Sequence, residues 1–308
     1  MRLLVVGAGA VGGFLAARFL DGGHDVTVLV RPRRAGRLRQ DGLIITGASG
    51  PRVFRPAVIT PAEVTAPYDV VVLAVKAGAL TAVMDEIRPG VGPATVVVPF
   101  LNGMGHVARL RELFGPAVIG GVLRIATQLT DTGAVEVLAP MFEVEIGEFG
   151  AAPSRRVETL AAAFRDAGAD VTVSPDITAA MWVKWVFIAS VGAVTSLMRA
   201  PVGDVAAVPG GTQFARAVVA EAAAAAAAAG HPVPADQVKG IEHTVTAPGS
   251  AVTSSLSRDL IAGRPTEVDA VIGDLVDRAQ ALGLATPVLS LTALALRVHN
   301  RRLGDTHS

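Results

Sequence analysis

Cysteine is missing from all 308 residues. That excludes disulfides, a thiolate nucleophile, and any zinc or iron–sulfur centre bound through sulfur. An excess of either charge is missing too, since Lys+Arg 27 balances Asp+Glu 27. A nucleic-acid binder needs a basic face to displace counterions from phosphates, and this balance argues against one. The longest apolar stretches, near residues 185–198 and 217–229, fall short of the roughly 18–20 residues that span a bilayer. The first residues, Arg2-Leu3-Leu4-Val5-Val6, run straight into glycines without the pattern of a cleavable signal peptide. The expectation is a cytoplasmic protein of two domains, with no nucleic-acid or membrane partner. Lysine is nearly absent: Lys76, Lys184 and Lys239 are the only ones. A chain that so consistently uses Arg can keep Lys where a compact, deprotonatable ammonium is wanted.

What is present alternates strand and helix through the first half. The apolar run 2–6 leads into glycines and a helical segment from Phe14 to Leu20, and Asp25 to Val30 is the next strand. Val70 to Val75 and Thr95 to Phe100 are unbroken β-branched runs, as expected of strands buried on both faces of a parallel sheet, with a crossover helix over 79–87 between them. Ala117 to Ile119, Phe142 to Ile146 and Asp170 to Val173 are strand-like as well. The pattern predicts an α/β fold, an N-terminal Rossmann-type doubly wound sheet over 1–174. Over 175–308 it predicts an all-helical domain. Its helices run from Asp176 to Met198, over 212–229 (closed by Gly230 and Pro232), over 251–262 and 267–282, and onward from Thr286-Pro287.

Gly7-Ala8-Gly9-Ala10-Val11-Gly12 follows a strand and opens a helix, which is the context in which GxGxxG binds a dinucleotide. The glycines permit a tight turn, close approach of backbone to pyrophosphate, and close helix–strand contact, and the helix N-terminus offers N–H groups to the phosphates. About twenty residues on, where an NAD enzyme usually carries Asp or Glu for the ribose 2′-OH, stands Arg31, followed by Arg33 and Arg34. A guanidinium grips a 2′-phosphate that a carboxylate would repel, so NADPH is the expected cofactor.

These landmarks, with Lys76 closing the VVVLAVK strand, Leu101-Asn102-Gly103-Met104-Gly105, Met181-Trp182-Val183-Lys184, and Ser254-Ser255 through Asp259 to Gly263-Arg264-Pro265-Thr266-Glu267-Val268-Asp269, resemble the ketopantoate reductase (2-dehydropantoate 2-reductase) family over nearly the whole chain. The resemblance implies a Rossmann domain and a helical domain with the active site in the cleft between them. It also implies NADPH-dependent reduction of a branched 2-oxo acid to the 2-hydroxy acid, a step of pantothenate biosynthesis.

Ketone reduction needs a hydride on carbon and a proton on oxygen. On the residues alone Lys184 fits two readings, a desolvated acid beside Trp182, Trp185 and Phe187, or a lysine whose stem covers apolar surface while its head reaches water. The resemblance makes it the proton donor. It also makes Glu267 the group that orients the centre and touches the cofactor, and Ser255 the ligand of the substrate carboxylate with Asp259 one helical turn on. By the same resemblance Asn102 contacts the cofactor or substrate, Lys76 the cofactor, and Ala126 offers the cofactor a backbone contact. Lys239 reads as surface.

The chain departs from the family on the substrate side. Where the family pattern has asparagines, this chain has Ile188, Gly192 and Val202. A pocket that loses hydrogen-bonding groups loses discrimination for a substrate hydroxyl. Ser190, Thr195 or Arg124 can replace those contacts, or the substrate is a different 2-oxo acid. A more apolar ketone or imine, and a non-catalytic NADPH sensor, are the remaining alternatives. His24, His106, His231, His243, His299 and His307 show no metal-ligand spacing, so no metal site is expected, and His106 beside the NGMG turn is an alternative acid. A homodimer fits the apolar helices.

Overall fold

The computed structural model describes residues 1–48, 50–150 and 152–305, and His307 lies outside them. The chain divides into two compact units. The first comprises Met1–Leu101 and His106–Ala180.

Its strands are β1 (Arg2–Val6), β2 (Asp25–Leu29), β3 (Leu43–Thr46), β4 (Arg52–Phe54), β5 (Ala57–Ile59), β6 (Val70–Leu73), β7 (Val96–Pro99), β8 (Gly120–Leu129), β9 (Val135–Gly147) and β10 (Asp170–Val173). Its helices are α1 (Ala10–Asp21), α2 (Pro32–Asp41), α3 (Leu80–Glu86), α4 (Gly105–Phe114) and α5 (Arg155–Asp166). A wholly parallel sheet runs β5-β2-β1-β6-β7. It is doubly wound. Leu3 and Val5 of β1 pack with Phe14 and Phe19 of α1 and Phe164 of α5, whereas Leu4 and Val6 pack with Leu80 and Val83 of α3 and Leu110 of α4. Side chains alternate across a strand, so a strand buried on both faces must be apolar at every position, and this is why β1 and β6 read as continuous runs.

A second, mixed sheet, β10-β9-β3-β4 with β8 on β9, is a finding that the expected single sheet did not contain. Much of it is one long hairpin. Pro140 lies inside β9, and a proline inside an apolar run argues against a strand by sequence rules. The register shifts at Ile125/Ala126 and Ala126/Thr127 absorb the irregularity. The strand expected over 117–119 begins instead at Gly120, after a 3-10 turn at Gly115–Ala117.

The second unit comprises Asn102–Gly105 and Met181–Ser308. Its helices are α6 (Ile177–Leu197), α7 (Val202–Ala206), α8 (Gly211–Ala228), α9 (Ala235–Val245), α10 (Ser255–Ile261), α11 (Asp274–Ala281) and α12 (Pro287–Asp305). The first turn of α6 falls in the first unit, because Ile177 fills the space beside Gly120 and Gly147. Where the composition suggested apolar stretches too short to cross a membrane, α6 is long and apolar enough by length and composition. Trp182, Trp185, Val186, Ala189, Ala193 and Val194 on it are nevertheless buried in the protein. The alanine run of α8 is a packed helix, with Ala215, Val218, Ala222 and Ala226 inaccessible.

Two expected helices are modified. Residues 251–254 are not helical: Val202 N–H donates to Val252 O, and the Ser254 side chain caps α10 by accepting from Ser257 N–H at 2.9 Å. Residues 267–282 do not form one α-helix, since Asp269–Gly273 is a π turn ahead of α11.

Candidate active site

The glycine turn follows β1 at the centre of the parallel sheet, where strand order reverses between β2 and β6 and open α/β sheets bind ligands. Its three glycines have separable roles. Gly7 has φ +96°, and a Cβ there would lie 2.8 Å from Ala74 O. A Cβ on Gly12 would clash with Gly7 O. At Gly9 a Cβ would meet nothing within 4 Å. Two glycines are therefore required by the chain's own packing, while the third leaves open space at the N-cap of α1, a helix with no acidic residue in its first turn. Packing does not require a glycine at Gly9; a pyrophosphate brought to the α1 N-terminus would.

Arg31 follows β2 and is exposed; its Nη1 donates to Glu86 Oε1 at 2.5 Å. Lys76, also exposed, follows β6 at the same edge of the sheet. Arg34, grouped in the sequence with Arg31 and Arg33, is instead committed to backbone carbonyls. It sits in the first turn of α2 and donates to Ala8 O at 3.2 Å and Gly133 O at 2.8 Å, tying the glycine turn to the β8–β9 hairpin. Burial, and then neighbouring Arg37, lower its pKa. Ala126 lies at the bulge of β8, a position where strand irregularities re-aim the backbone.

In the helical unit the segments that carry Asn102, Lys184 and Glu267 each contact or adjoin one π turn. Trp185, next to Lys184 on α6, donates Nε1–H to Val271 O at 2.8 Å. Val271 N–H in turn bonds Glu267 O at 3.1 Å. The Asn102–Gly105 turn belongs to this unit by its contacts: Gly103, at φ +77°, lies so close to Ala270 that a Cβ would clash with Ala270 O. Asn102 and Lys184 thus each adjoin a residue that contacts Asp269–Gly273, Glu267 lies two residues before it, and all three are half-buried. Trp182 and Trp185 are buried beside Lys184, whereas Phe187, expected to flank it, is exposed. His231 stacks on Trp182 with ring centroids 4.9 Å apart. Arg278 lies 5.6 Å from the Trp185 ring and pairs with Asp274 at 2.9 Å.

On the substrate side, Ser255 is exposed at the first position of α10, and Asp259, one turn on, pairs with Arg264 at 3.0 Å. Ile188 and Gly192 continue the Lys184 face of α6 at four and eight residues. A Cβ on Gly192 would come within 3.0 Å of Leu256 Cδ1, so Leu256 occupies the volume a larger residue would need. Val202 is buried. Of the residues considered as replacements, Thr195 is tied to Val191 O and the Ser254 hydroxyl. Ser190 is fully buried, its hydroxyl without a hydrogen-bond partner. Arg124 is on β8, 3.9 Å from Glu143. His106 is buried in α4. Among the described residues, no three His, Asp or Glu side chains assemble into a metal site.

A dinucleotide-type α/β unit joined to an all-helical unit defines a two-domain oxidoreductase. The description Ketopantoate reductase PanE/ApbA matches residues 3–151, and its C-terminal counterpart matches 176–300. The chain belongs to this family. It is 34% identical to the uncharacterized oxidoreductase YkpB of Bacillus subtilis (strain 168), over 97% of this chain and 99% of that one. It is 30% identical to the 2-dehydropantoate 2-reductase of Halobacterium salinarum, over 98% and 99%. The crystal structure of 2-dehydropantoate 2-reductase from Methylococcus capsulatus superposes with a TM-score of 0.84 at 29% identity, covering 98% of each chain.

Proposed function

We propose that the protein reduces 2-dehydropantoate, or a closely related branched 2-oxo acid, to the 2-hydroxy acid with NADPH. The observation that carries the reading is the π turn at Asp269–Gly273, which Lys184's neighbour Trp185, the Asn102 turn and Glu267 share. The glycine turn fits a dinucleotide through the open space at Gly9, and Arg31 answers a 2′-phosphate. When bound, NADPH supplies the hydride to the carbonyl carbon. Lys184 gives its Nζ proton to the oxygen as negative charge develops there, and Glu267 orients that ammonium and touches the cofactor. Asn102 hydrogen-bonds on the nicotinamide side; Lys76 and the Ala126 backbone hold the cofactor; Ser255 and Asp259 position the substrate carboxylate and its surroundings.

A second reading keeps this machinery but replaces the substrate with a 2-oxo acid lacking a side-chain hydroxyl. Gly192 packed on Leu256, with Ile188 and Val202 beyond it, favours that reading. Following NADPH absorbance with a panel of 2-oxo acids, 2-dehydropantoate included, separates the two. Lys184→Ala should lower kcat by roughly 10²–10⁴ with NADPH affinity retained. Wild-type turnover in that variant ends the assignment.

We also read the chain as a cytoplasmic homodimer. Leu291, Leu294 and Val298 are exposed at i, i+3 and i+7 of α12, one apolar stripe that a second copy would cover. Sedimentation as a monomer at micromolar concentration ends that part of the reading.

A further inference from the structure

At the nucleotide end of the first unit the cationic residue expected to hold the 2′-phosphate is not alone. Arg31 Nη1 donates to Glu86 Oε1 at 2.5 Å, with side-chain exposures of 57% and 23%. The backbone of Arg31 is fixed. It is the N-cap of α2, its carbonyl accepts from Arg34 N–H at 2.9 Å and Ala35 N–H at 3.0 Å, and Pro32 follows. Only its side chain is free to answer a ligand. Glu86 is the last residue of α3, which follows β6, so the carboxylate arrives from the far side of β1. Dinucleotide sites that select NADH carry a carboxylate at the end of the second strand. Here an arginine stands at that place and the carboxylate comes from elsewhere in the fold.

We propose that Glu86 is a specificity-determining residue of the nucleotide site: its carboxylate holds Arg31, opposes the 2′-phosphate of NADPH, and so narrows the preference for NADPH over NADH. The proposal rests on reading Arg31 as the 2′-phosphate ligand. A guanidinium has five N–H donors in a fixed fork, and Glu86 engages one Nη, so a second edge remains for an incoming phosphate. A dianion on that edge stands about one guanidinium's width from the Glu86 carboxylate, and like charges that close repel. NADH brings a neutral 2′-hydroxyl to the same place and meets no such repulsion. The effect is therefore differential between the two nucleotides, and modest, because Arg31 is open to solvent.

The test titrates NADPH and NADH separately, by nucleotide fluorescence without substrate, into wild type, Glu86→Gln, Glu86→Ala, Arg31→Ala and the variant carrying both Glu86→Gln and Arg31→Ala, with thermal melts of each. Glu86→Gln should tighten NADPH by about three- to tenfold and leave NADH within about twofold, with the gain shrinking at high salt. In the Arg31→Ala background part of the gain should persist, because the repulsion runs between carboxylate and phosphate. An NADPH/NADH ratio unchanged or lowered by both Glu86→Gln and Glu86→Ala overturns the proposal while leaving Arg31 in place. Equal weakening of both nucleotides by Arg31→Ala removes Arg31 from the 2′-phosphate, and the proposal falls with it.

Discussion

Trp185 reaches 2.8 Å from its indole nitrogen to the carbonyl oxygen of Val271 inside the helical unit. The bond joins the helix carrying Lys184 to the turn that follows Glu267. A π turn widens the backbone ladder, so a side-chain donor can satisfy a carbonyl there, and such turns cluster at functional sites.

Trp185→Phe retains an aromatic ring and removes the indole donor from a buried carbonyl. The expected cost is about 1–3 kcal/mol of stability, read by denaturant unfolding. Loosening the turn should also lower kcat by about ten- to a hundredfold, since displacement of a catalytic group by about 1 Å is that expensive. A Phe variant that is less stable but equally fast would assign Trp185 to packing alone.

The glycine turn yields opposite expectations for neighbouring positions. Gly12→Ala places a methyl against Gly7 O, so it should destabilise the chain by more than about 2 kcal/mol and lower Tm whether or not nucleotide is present. Gly9→Ala meets nothing within 4 Å in the protein and should melt like wild type. It should nonetheless weaken NADPH about tenfold or more, because its methyl stands where the pyrophosphate approaches. Unaltered nucleotide affinity in Gly9→Ala would remove the α1 N-terminus from the cofactor site.

The elements with one strong periodicity were legible before the structure. β6 is apolar at every position, and β1 from Leu3 onward, because both faces are covered, and α8 carries its own stop signals at Gly230 and Pro232. Of the second sheet only Phe142 to Ile146 and Asp170 to Val173 were legible as strands, and not as a separate sheet, since Pro140 and the bulge at Ala126 break the alternation in the rest of the hairpin. The π turn was invisible for a different reason: the helical period continues through Asp269–Gly273, and the departure arises only when Val271 O meets a donor 86 residues earlier in the chain. Arg31 was readable from its distance to the glycines, but Glu86 was not, because only the fold brings the end of α3 to it.

Arg34 is the tie between the glycine turn and the second sheet, through Ala8 O and Gly133 O. Arg34→Met keeps much of the apolar stem and removes both bonds. Stability should fall by about 1–3 kcal/mol, and NADPH should bind several-fold more weakly as the turn loses its brace. Calorimetric titration reads the second effect, and an unchanged Kd would confine Arg34 to a structural role.

Acid sensitivity should originate at Glu148, between the end of β9 and the start of α5. Its carboxylate accepts Arg156 Nε at 2.7 Å, Arg156 Nη2 at 2.6 Å and the Ser154 hydroxyl at 2.6 Å, and its side chain is only 11% exposed. The bond from Arg156 is the larger cause holding the Glu148 pKa below the ordinary carboxylate range; burial opposes it, and Ser154 and the charge of Arg156 add to it. A depressed folded-state pKa means that the unfolded chain binds the proton more readily. The stabilisation is therefore complete above the unfolded value near ~4.3 and is lost as pH falls through the lower, folded value. Glu148→Gln should cost about 1–3 kcal/mol at neutral pH, and its stability should converge on that of wild type as the pH is taken below about 4. Parallel stability curves for the two proteins down to that pH would place the acid-labile group elsewhere.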